Sequence, residues 1–398
     1  MSEKQLTDAG VTTALALSGG GFRASLFHLG VLRRLNDAGL LSRMTTISSV
    51  SGGSITNGLL ATRWTRLTAD PTGRFTNFQD EIEGPMRTFC GRNLRNYPLI
   101  TGRLDPRNWP ALARDDYSVT NLLAERYDRD LLGGATIEML RQLKQAGGPA
   151  FVFCATSLQA GVSFVFEPDR IGDYRIGYTW NSALKLGMAV AASSAFPIAF
   201  PPLALPLEGA EWRAGDLSDT ELKAQMRRMP LLSDGGVYDN MGLEPVWKDH
   251  DFVFCSDAGA PFSDEASPGG NLISRLWRSH SVIDRQSRSL RKRMLMSAFT
   301  QGDYRGAYWA LTTDIRNYPL IPPAAGYGGA TLKAIVGTRT DLDSFHDGEQ
   351  LVLMNHGWLL AGTALKAHCP EWPGHASEPP DEELLDNARA LEALEPRE

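Results

Sequence analysis

Residues that fit together in one reaction lie at three places along this chain. Ser51 stands in Ser49-Val50-Ser51-Gly52-Gly53, behind strand-like residues and ahead of a helix-forming run. A serine hydroxyl is a poor nucleophile until a base takes its proton, and it must stand clear of the backbone to reach an acyl carbon. A strand-turn-helix elbow gives that clearance, with small residues such as Gly52 and Gly53 letting the turn pass close to its neighbours. The usual elbow reads Gly-x-Ser-x-Gly. Here Ser49 takes the first position, and Ser48, Ser49 and Ser54 are nearby rivals for the role. Far downstream, Ser233-Asp234-Gly235-Gly236 offers a carboxylate on a glycine turn as the base. Gly19-Gly20-Gly21 gathers N–H groups at a helix start, and Arg23 in the first turn of that helix adds a positive charge. Such donors stabilise a tetrahedral oxyanion by roughly 3 to 4 kcal/mol each when well placed. Taken singly, the glycines can be a plain tight turn, Arg23 a partner of a surface acid, and Asp-Gly-Gly a loop. In combination they are the parts of acyl transfer, with Asp234 expected to be made basic by partial desolvation.

None of the seven histidines sits in a recognisable catalytic motif. His346, His356 or His368 remains open as the third member of a Ser-His-Asp triad, because chain order does not forbid it. His28 is expected to pack within its helix. The cysteines Cys90, Cys154, Cys255 and Cys369 are far apart, which argues against a metal cluster or a disulfide framework. Cys154 and Cys255 each end a Phe-Val-Phe-Cys run and read as buried thiols in strands. No metal or cofactor is expected.

The elements that must position these residues are legible as apolar runs. Thr12–Leu17 and Met44–Val50 read as strands, each followed by a helix, at about Phe22–Ala38 and Ile55–Trp64, with Gly39 stopping the first. Ala150–Cys154 and Asp251–Cys255 are two further strand-like runs. Their continuous rather than alternating hydrophobicity suits strands covered on both faces, as in a parallel sheet between helices. The expected fold is therefore α/β, a three-layer α/β/α sandwich with a mostly parallel central sheet. The 398 residues are read as a single domain with its core at about 12–260. A mixed helical insertion is expected at about 66–130, either lid-like or a surface excursion without catalytic duty, and a C-terminal helical extension at about 265–398.

From Asn271 to Thr300 the chain carries seven basic residues and one acid. Leu272, Leu276, Ile283, Leu290 and Met294 follow spacings of four and seven and mark one helical face, with Arg275, Arg278, Arg285, Arg288 and Lys292 on another. The first reading is a helix docked on the core by its apolar face with the charges solvated. The second is a surface for an anionic membrane or a phosphate-bearing regulator. Leu94-Arg95-Asn96-Tyr97-Pro98-Leu99-Ile100 recurs as Ile315-Arg316-Asn317-Tyr318-Pro319-Leu320-Ile321, too short a match for a structural repeat. The acidic tail from Glu371 leaves room for a short closing helix around Leu384, Leu385, Leu391 and Leu394, with the last residues frayed.

In this order the motifs resemble those of the patatin-like phospholipases, a lipid acyl hydrolase family. The likeness covers roughly Ala14 to Ala260. Ser18 to Arg23 resembles the family's Gly-Gly-Gly-x-Arg oxyanion element, and Ser49 to Gly53 its nucleophile elbow with the first Gly changed. Ala191-Ala192-Ser193-Ser194-Ala195-Phe196-Pro197-Ile198-Ala199-Phe200-Pro201-Pro202 looks like its Ala-Ser-x-Ala-x-Pro segment, and Ser233 to Gly236 its Asp-Gly-Gly motif. The resemblance implies a Ser-Asp dyad without histidine: Ser51 as nucleophile, Asp234 as base, and Gly19, Gly20, Gly21 and Arg23 at the oxyanion, supported by Gly52, Gly53, Gly235 and Gly236. The implied activity is phospholipase A-type hydrolysis of phospholipid or other acyl-ester lipids at a peripheral membrane surface. Some bacterial members are effectors switched by cyclic nucleotides in antiphage defence, which makes a cyclic nucleotide activator an expected partner.

Two other classes compete. Gly19, Gly21 and Ala24 fit Gly-x-Gly-x-x-Ala after a strand, a dinucleotide-like loop, although Arg23 would be odd there and the acid expected about twenty positions on is not clearly placed. The fold can also serve as a non-catalytic scaffold. With 42% hydrophobic and 22% charged residues the composition is that of a globular protein, and a net charge of −6 gives nucleic acid no global attraction. No basic flank with an apolar stretch opens the chain and no run is long enough to span a bilayer, so the expected location is cytoplasmic, with a peripheral position at the inner membrane surface.

Overall fold

The computed structural model describes residues 5, 6, 8, 10–197, 199–372 and 377–395. Ile198 of the Ala191–Pro202 motif and the final residues 396–398, expected to fray, lie outside them, as does much of 1–10. Ten strands form one mixed sheet among the described residues. They are β1 (Thr13–Leu17), β2 (Thr46–Ser49), β3 (Ala150–Ser157), β4 (Val162–Phe166), β5 (Ile171–Asp173), β6 (Gly177–Thr179), β7 (Leu203–Ala204), β8 (Leu231–Asp234), β9 (Phe252–Asp257) and β10 (Arg305–Ala310). Five neighbours, β10-β9-β1-β2-β3, are parallel and make the central body, while β4 to β6 continue it antiparallel. The expected α/β sheet with helices on both faces is the observed one.

Alternation along the strands shows the two layers directly. Leu15 and Leu17 of β1 and Phe252 and Phe254 of β9 enter the main core, shared with helices α1 (Gly21–Asp37) and α2 (Gly52–Arg63). Helix α3 (Leu186–Ser193) contributes Ala189 to Ala192 to that same core. Ala14, Ala16, Val253 and Cys255 point the other way, to a smaller cluster with Leu295 and Ala298 of helix α4 (Leu272–Gln301). Helix α5 (Asp347–His368) returns to the main core beside α1. Because both faces are covered, the strands carry apolar residues continuously, which is why they were legible. All four cysteines are buried free thiols.

The chain departs from expectation in two places. First, the region after 265 is not helical throughout: β10 joins the sheet as a parallel edge strand beside β9. Its sequence, Arg-Gly-Ala-Tyr-Trp-Ala, lacks the continuous apolar run of a strand flanked on both edges, so periodicity did not mark it. Second, α4 is docked the other way round. Arg288 bonds Asp257 at 3.0 Å, and Arg291 pairs with Glu244 at 2.9 Å and Asp239 at 3.3 Å, so charged residues hold the core side. Leu272, Leu276, Ile283 and Leu290 face outward. The 66–130 region is mixed helical, as expected, and its Phe78, Met86, Phe89, Leu122 and Tyr127 enter the main core. The two copies of the short recurrence differ in structure, a wide π-type turn at Tyr97–Thr101 and a 3-10 turn at Ile315–Asn317. The tail forms a short helix at Asn387–Ala393.

Trp309 of β10 is fully buried and lies against Phe254 of β9, with 6.3 Å between ring centroids. If β10 belongs to the core, Trp309→Ala costs about 3 to 5 kcal/mol of stability. An unfolding free energy from chemical denaturation that falls by less than about 0.5 kcal/mol would show β10 to be peripheral.

Candidate active site

Strand β3 brings the two distant motifs together. Along one edge its residues Ala150 to Phe153 pair in parallel with β2, and its residues Ala155 to Ser157 pair antiparallel with β8. The two strands therefore run toward each other on the same edge. Ser49 ends β2 opposite Phe153, and Asp234 ends β8 opposite Ala155, leaving only Cys154 between. Each chain must turn out of the sheet at this junction, and the turns carry Ser51 on one side and Asp234 on the other.

Ser51 occupies φ 51°, ψ −119°, a backbone conformation that costs a non-glycine residue about 1 to 3 kcal/mol. Neighbouring bonds hold it there. Its N–H donates to Ser193 Oγ at 3.0 Å, and its carbonyl accepts from the Ser54 and Ile55 amides at 2.8 and 3.2 Å. Ser193 Oγ in turn donates to the Cys154 carbonyl at 2.6 Å, while the Ser193 and Ala195 carbonyls accept from the Gly235 and Asp234 amides at 3.2 and 3.0 Å. The end of α3 thus ties both halves of the site to β3. Gly52 is required by closeness rather than by φ: a Cβ there would lie 2.1 Å from the Gly21 carbonyl oxygen. Ser49, the unusual first residue of the elbow, is accommodated because its hydroxyl is buried and donates to the Val152 carbonyl at 3.1 Å while accepting from Ser54 and Asn57.

Asp234 is 2% exposed. The Gly236 amide donates to its Oδ1 at 2.7 Å, and its Oδ2 has no hydrogen-bond partner among the described residues. Burial pushes its carboxyl up to about 7, against the pull of the Gly236 N–H and the nearby Ser51 hydroxyl. Asp284 of α4 adds a smaller upward push by charge repulsion. The expected rise in basicity is therefore present, and desolvation is its main cause. Among the described residues no histidine hydrogen-bonds to Ser51 or Asp234. His28 is locked between Ser256 Oγ and the Ser18 carbonyl, His356 bonds the Leu311 carbonyl, and burial pushes both down to about 4. His346 caps α5, and His368 lies against Tyr318.

The glycine turn divides its N–H groups. The Gly19 amide is committed to the Asn240 carbonyl at 3.0 Å. No described residue accepts from the Gly20 or Gly21 amide, and both residues line the same cavity as Ser51 and Asp234. Arg23 does not line it. Its guanidinium is buried, with Nη1 donating to the Val336 and Thr338 carbonyls at 3.2 and 3.0 Å and Nη2 to the Ala258 carbonyl at 2.9 Å. Burial and the nearby Arg288 lower its pKa to about 10, leaving it charged at neutral pH. The expected cation at the oxyanion is thus a clamp behind the turn, because backbone carbonyls of the 258 and 336–338 segments accept from both of its terminal nitrogens.

The cavity has a volume of about 1640 Å³. Phe196, Phe200, Leu99 and Leu342 give it apolar walls, and α4 forms one side with Trp277, His280, Asp284 and Arg288. Ser193, Asn240 and Asp284 are site residues that sequence reasoning did not assign. Asp284 carried a signal, as the single acid of a basic segment. Among the described residues no three His, Cys, Asp or Glu side chains gather as a metal site.

A mixed α/β sheet with a strained serine elbow beside a buried carboxylate defines the class, and the family model agrees. Residues 15–247 match the model described as patatin-like phospholipase, more than half of the chain, and the protein belongs to that family. Its fold is similar to that of human GIVD cytosolic phospholipase A2, with TM-score 0.52 at 11% identity over 99% of this chain and 63% of that one. A second structure of that human enzyme, in complex with methyl gamma-linolenyl fluorophosphonate inhibitor and terbium chloride, matches at TM-score 0.50 and 14% identity over 96% and 59%. The chain thus spans less than two thirds of the length of these neighbours. No curated protein matches its sequence.

Ser193→Ala removes the acceptor that holds the strained Ser51 amide. The expected loss is about 1 to 3 kcal/mol, the cost of orphaning a buried donor, read from chemical denaturation. Unchanged stability would mean that the elbow does not depend on Ser193.

Proposed function

We propose that this protein is a lipid acyl hydrolase of phospholipase A type, with Ser51 as nucleophile and Asp234 as its base. The observation that carries the reading is the junction on β3: a serine in a strained elbow and a desolvated carboxylate, facing one cavity beside two uncommitted N–H groups. Asp234 takes the Ser51 proton as Oγ attacks the ester carbonyl carbon. The Gly20 and Gly21 amides bind the oxyanion. As the tetrahedral adduct collapses, the C–O bond to the leaving alcohol breaks and Asp234 returns the proton to it. Water, deprotonated by Asp234, then attacks the acyl-serine; the acyl C–Oγ bond breaks, Asp234 returns the proton to Ser51 Oγ, and the fatty acid leaves. Arg23 is a positioning residue here, holding the glycine turn through Ala258.

A lipid substrate suits the cavity, which exceeds the roughly 300 to 1,000 Å³ of clefts for drug-sized ligands and has apolar walls. The fluorophosphonate inhibitor bound by the human enzyme carries a linolenyl chain, in keeping with that class. Dinucleotide binding at the Gly19–Gly21 turn is less favoured, because residues 15–247, which include the turn, match the patatin-like phospholipase model. Among the described residues no helix is long and apolar enough to cross a membrane. On this reading the protein sits peripherally, on the cytoplasmic side, where it meets a lipid substrate at the membrane surface.

Two outcomes are expected. Ser51→Ala and Asp234→Asn each abolish hydrolysis of phospholipid while the folded structure, followed by circular dichroism, persists; wild-type turnover in either variant overturns the dyad. Because Asp234 must be ionised to act and its pKa is raised to about 7, kcat/KM rises about tenfold per pH unit below 7 and levels off above it. A profile already flat from pH 5 would exclude Asp234 as the base.

A further inference from the structure

Helix α4 presents to solvent the side that an amphipathic helix ordinarily hides. Leu272, Leu276, Ile283 and Leu290 follow spacings of four and seven and form one stripe, 73%, 57%, 63% and 56% exposed. At 1.5 Å per residue the stripe runs for about 27 Å. The opposite side is the docked one, where Arg288 and Arg291 pair with Asp257, Asp239 and Glu244. An exposed apolar row of this length is rare on a protein that works alone in water.

The charges around the stripe select what covers it. Arg275 and Arg293 are exposed and have no carboxylate partner among the described residues, while Arg278 and Arg285 pair only with Glu265 and Asp264 of the preceding loop. The single acid of the helix, Asp284, is turned into the cavity. A second copy of this chain would bring like charge against like charge. The stripe is also continuous with the site, because Leu272, Trp277, Arg278 and Arg285 line the same cavity as Ser51.

Resting on the lipid-hydrolase reading, we infer that α4 is the membrane-docking element of this protein. Its leucine and isoleucine stripe enters the interface of an anionic phospholipid bilayer, with Arg275 and Arg293 at the headgroups and the cavity mouth against the lipid. Apolar burial and charge act together in such a helix, and the charge part weakens with salt. The helix lies outside the part of the chain that matches the family model, residues 15–247.

The test is co-sedimentation of the full chain with vesicles of phosphatidylcholine alone and of phosphatidylcholine with phosphatidylglycerol in equal parts. The wild type is expected to pellet with the mixed vesicles, and the triple variant Leu276→Ser, Ile283→Ser, Leu290→Ser to bind them at least about tenfold more weakly. Arg275→Glu with Arg293→Glu is expected to lose the preference for phosphatidylglycerol. All variants should hydrolyse a soluble, monomeric short-chain ester as the wild type does, since none of these residues lines the cavity. Vesicle binding without ester hydrolysis would leave the docking helix standing and remove the hydrolase reading. Failure of the wild type to pellet, equal pelleting of the triple variant, or a wild-type dimer in solution that the triple variant abolishes would each overturn the inference.

Discussion

The site depends on one edge of β3 being shared by two strands of opposite direction. β2 occupies the first half and β8 the second, and both end beside Cys154. Neither can continue without colliding with the other, so each chain leaves the sheet there. The serine elbow and the Asp-Gly-Gly turn are thus consequences of one packing constraint, although they are far apart in sequence. α3 closes the arrangement, since the Ser193 hydroxyl and carbonyl bond to the elbow, to β3 and to the Asp234 turn at once. A fully bonded network of this kind keeps a strained backbone at Ser51 without further support.

Burial sets the chemistry that this constraint allows. Asp234 keeps a free Oδ2 in a nearly dry environment, and the loss of hydration, rather than any single neighbour, raises its carboxyl to about 7. A second carboxylate, Asp257, behaves differently. Burial works against its ionisation too, but Arg288, the Gly259 amide and the Tyr308 hydroxyl together hold it below the usual range. Two buried acids lining one cavity are therefore assigned separate duties by their partners: one poised near neutrality, the other a fixed anion that anchors α4.

Much of this was legible before any coordinates. Ser51, Asp234 and the glycine turn stood out because strand, tight turn and helix leave local signatures, and the central strands because burial on both faces makes them continuously apolar. The misreadings have physical reasons as well. Sequence periodicity identifies the two faces of α4 but not which of them the core receives, and here buried ion pairs to Asp239 and Asp257 decide it. Arg23 sits in the right turn of α1, yet its terminal nitrogens donate to carbonyls more than two hundred residues away. β10 at the sheet edge, the direction of β8 and the bridging role of Ser193 are all long-range facts, which a local pattern does not carry.

The central claim is that Asp234 activates Ser51. Incubating the wild type and Asp234→Asn with a fluorophosphonate, then locating the adduct by peptide mass spectrometry, examines that claim without assuming any natural substrate. The account predicts stoichiometric modification of Ser51 in the wild type and its near-complete loss in Asp234→Asn at the same pH. Modification at another serine, or equal labelling of Ser51 in both proteins, would contradict it.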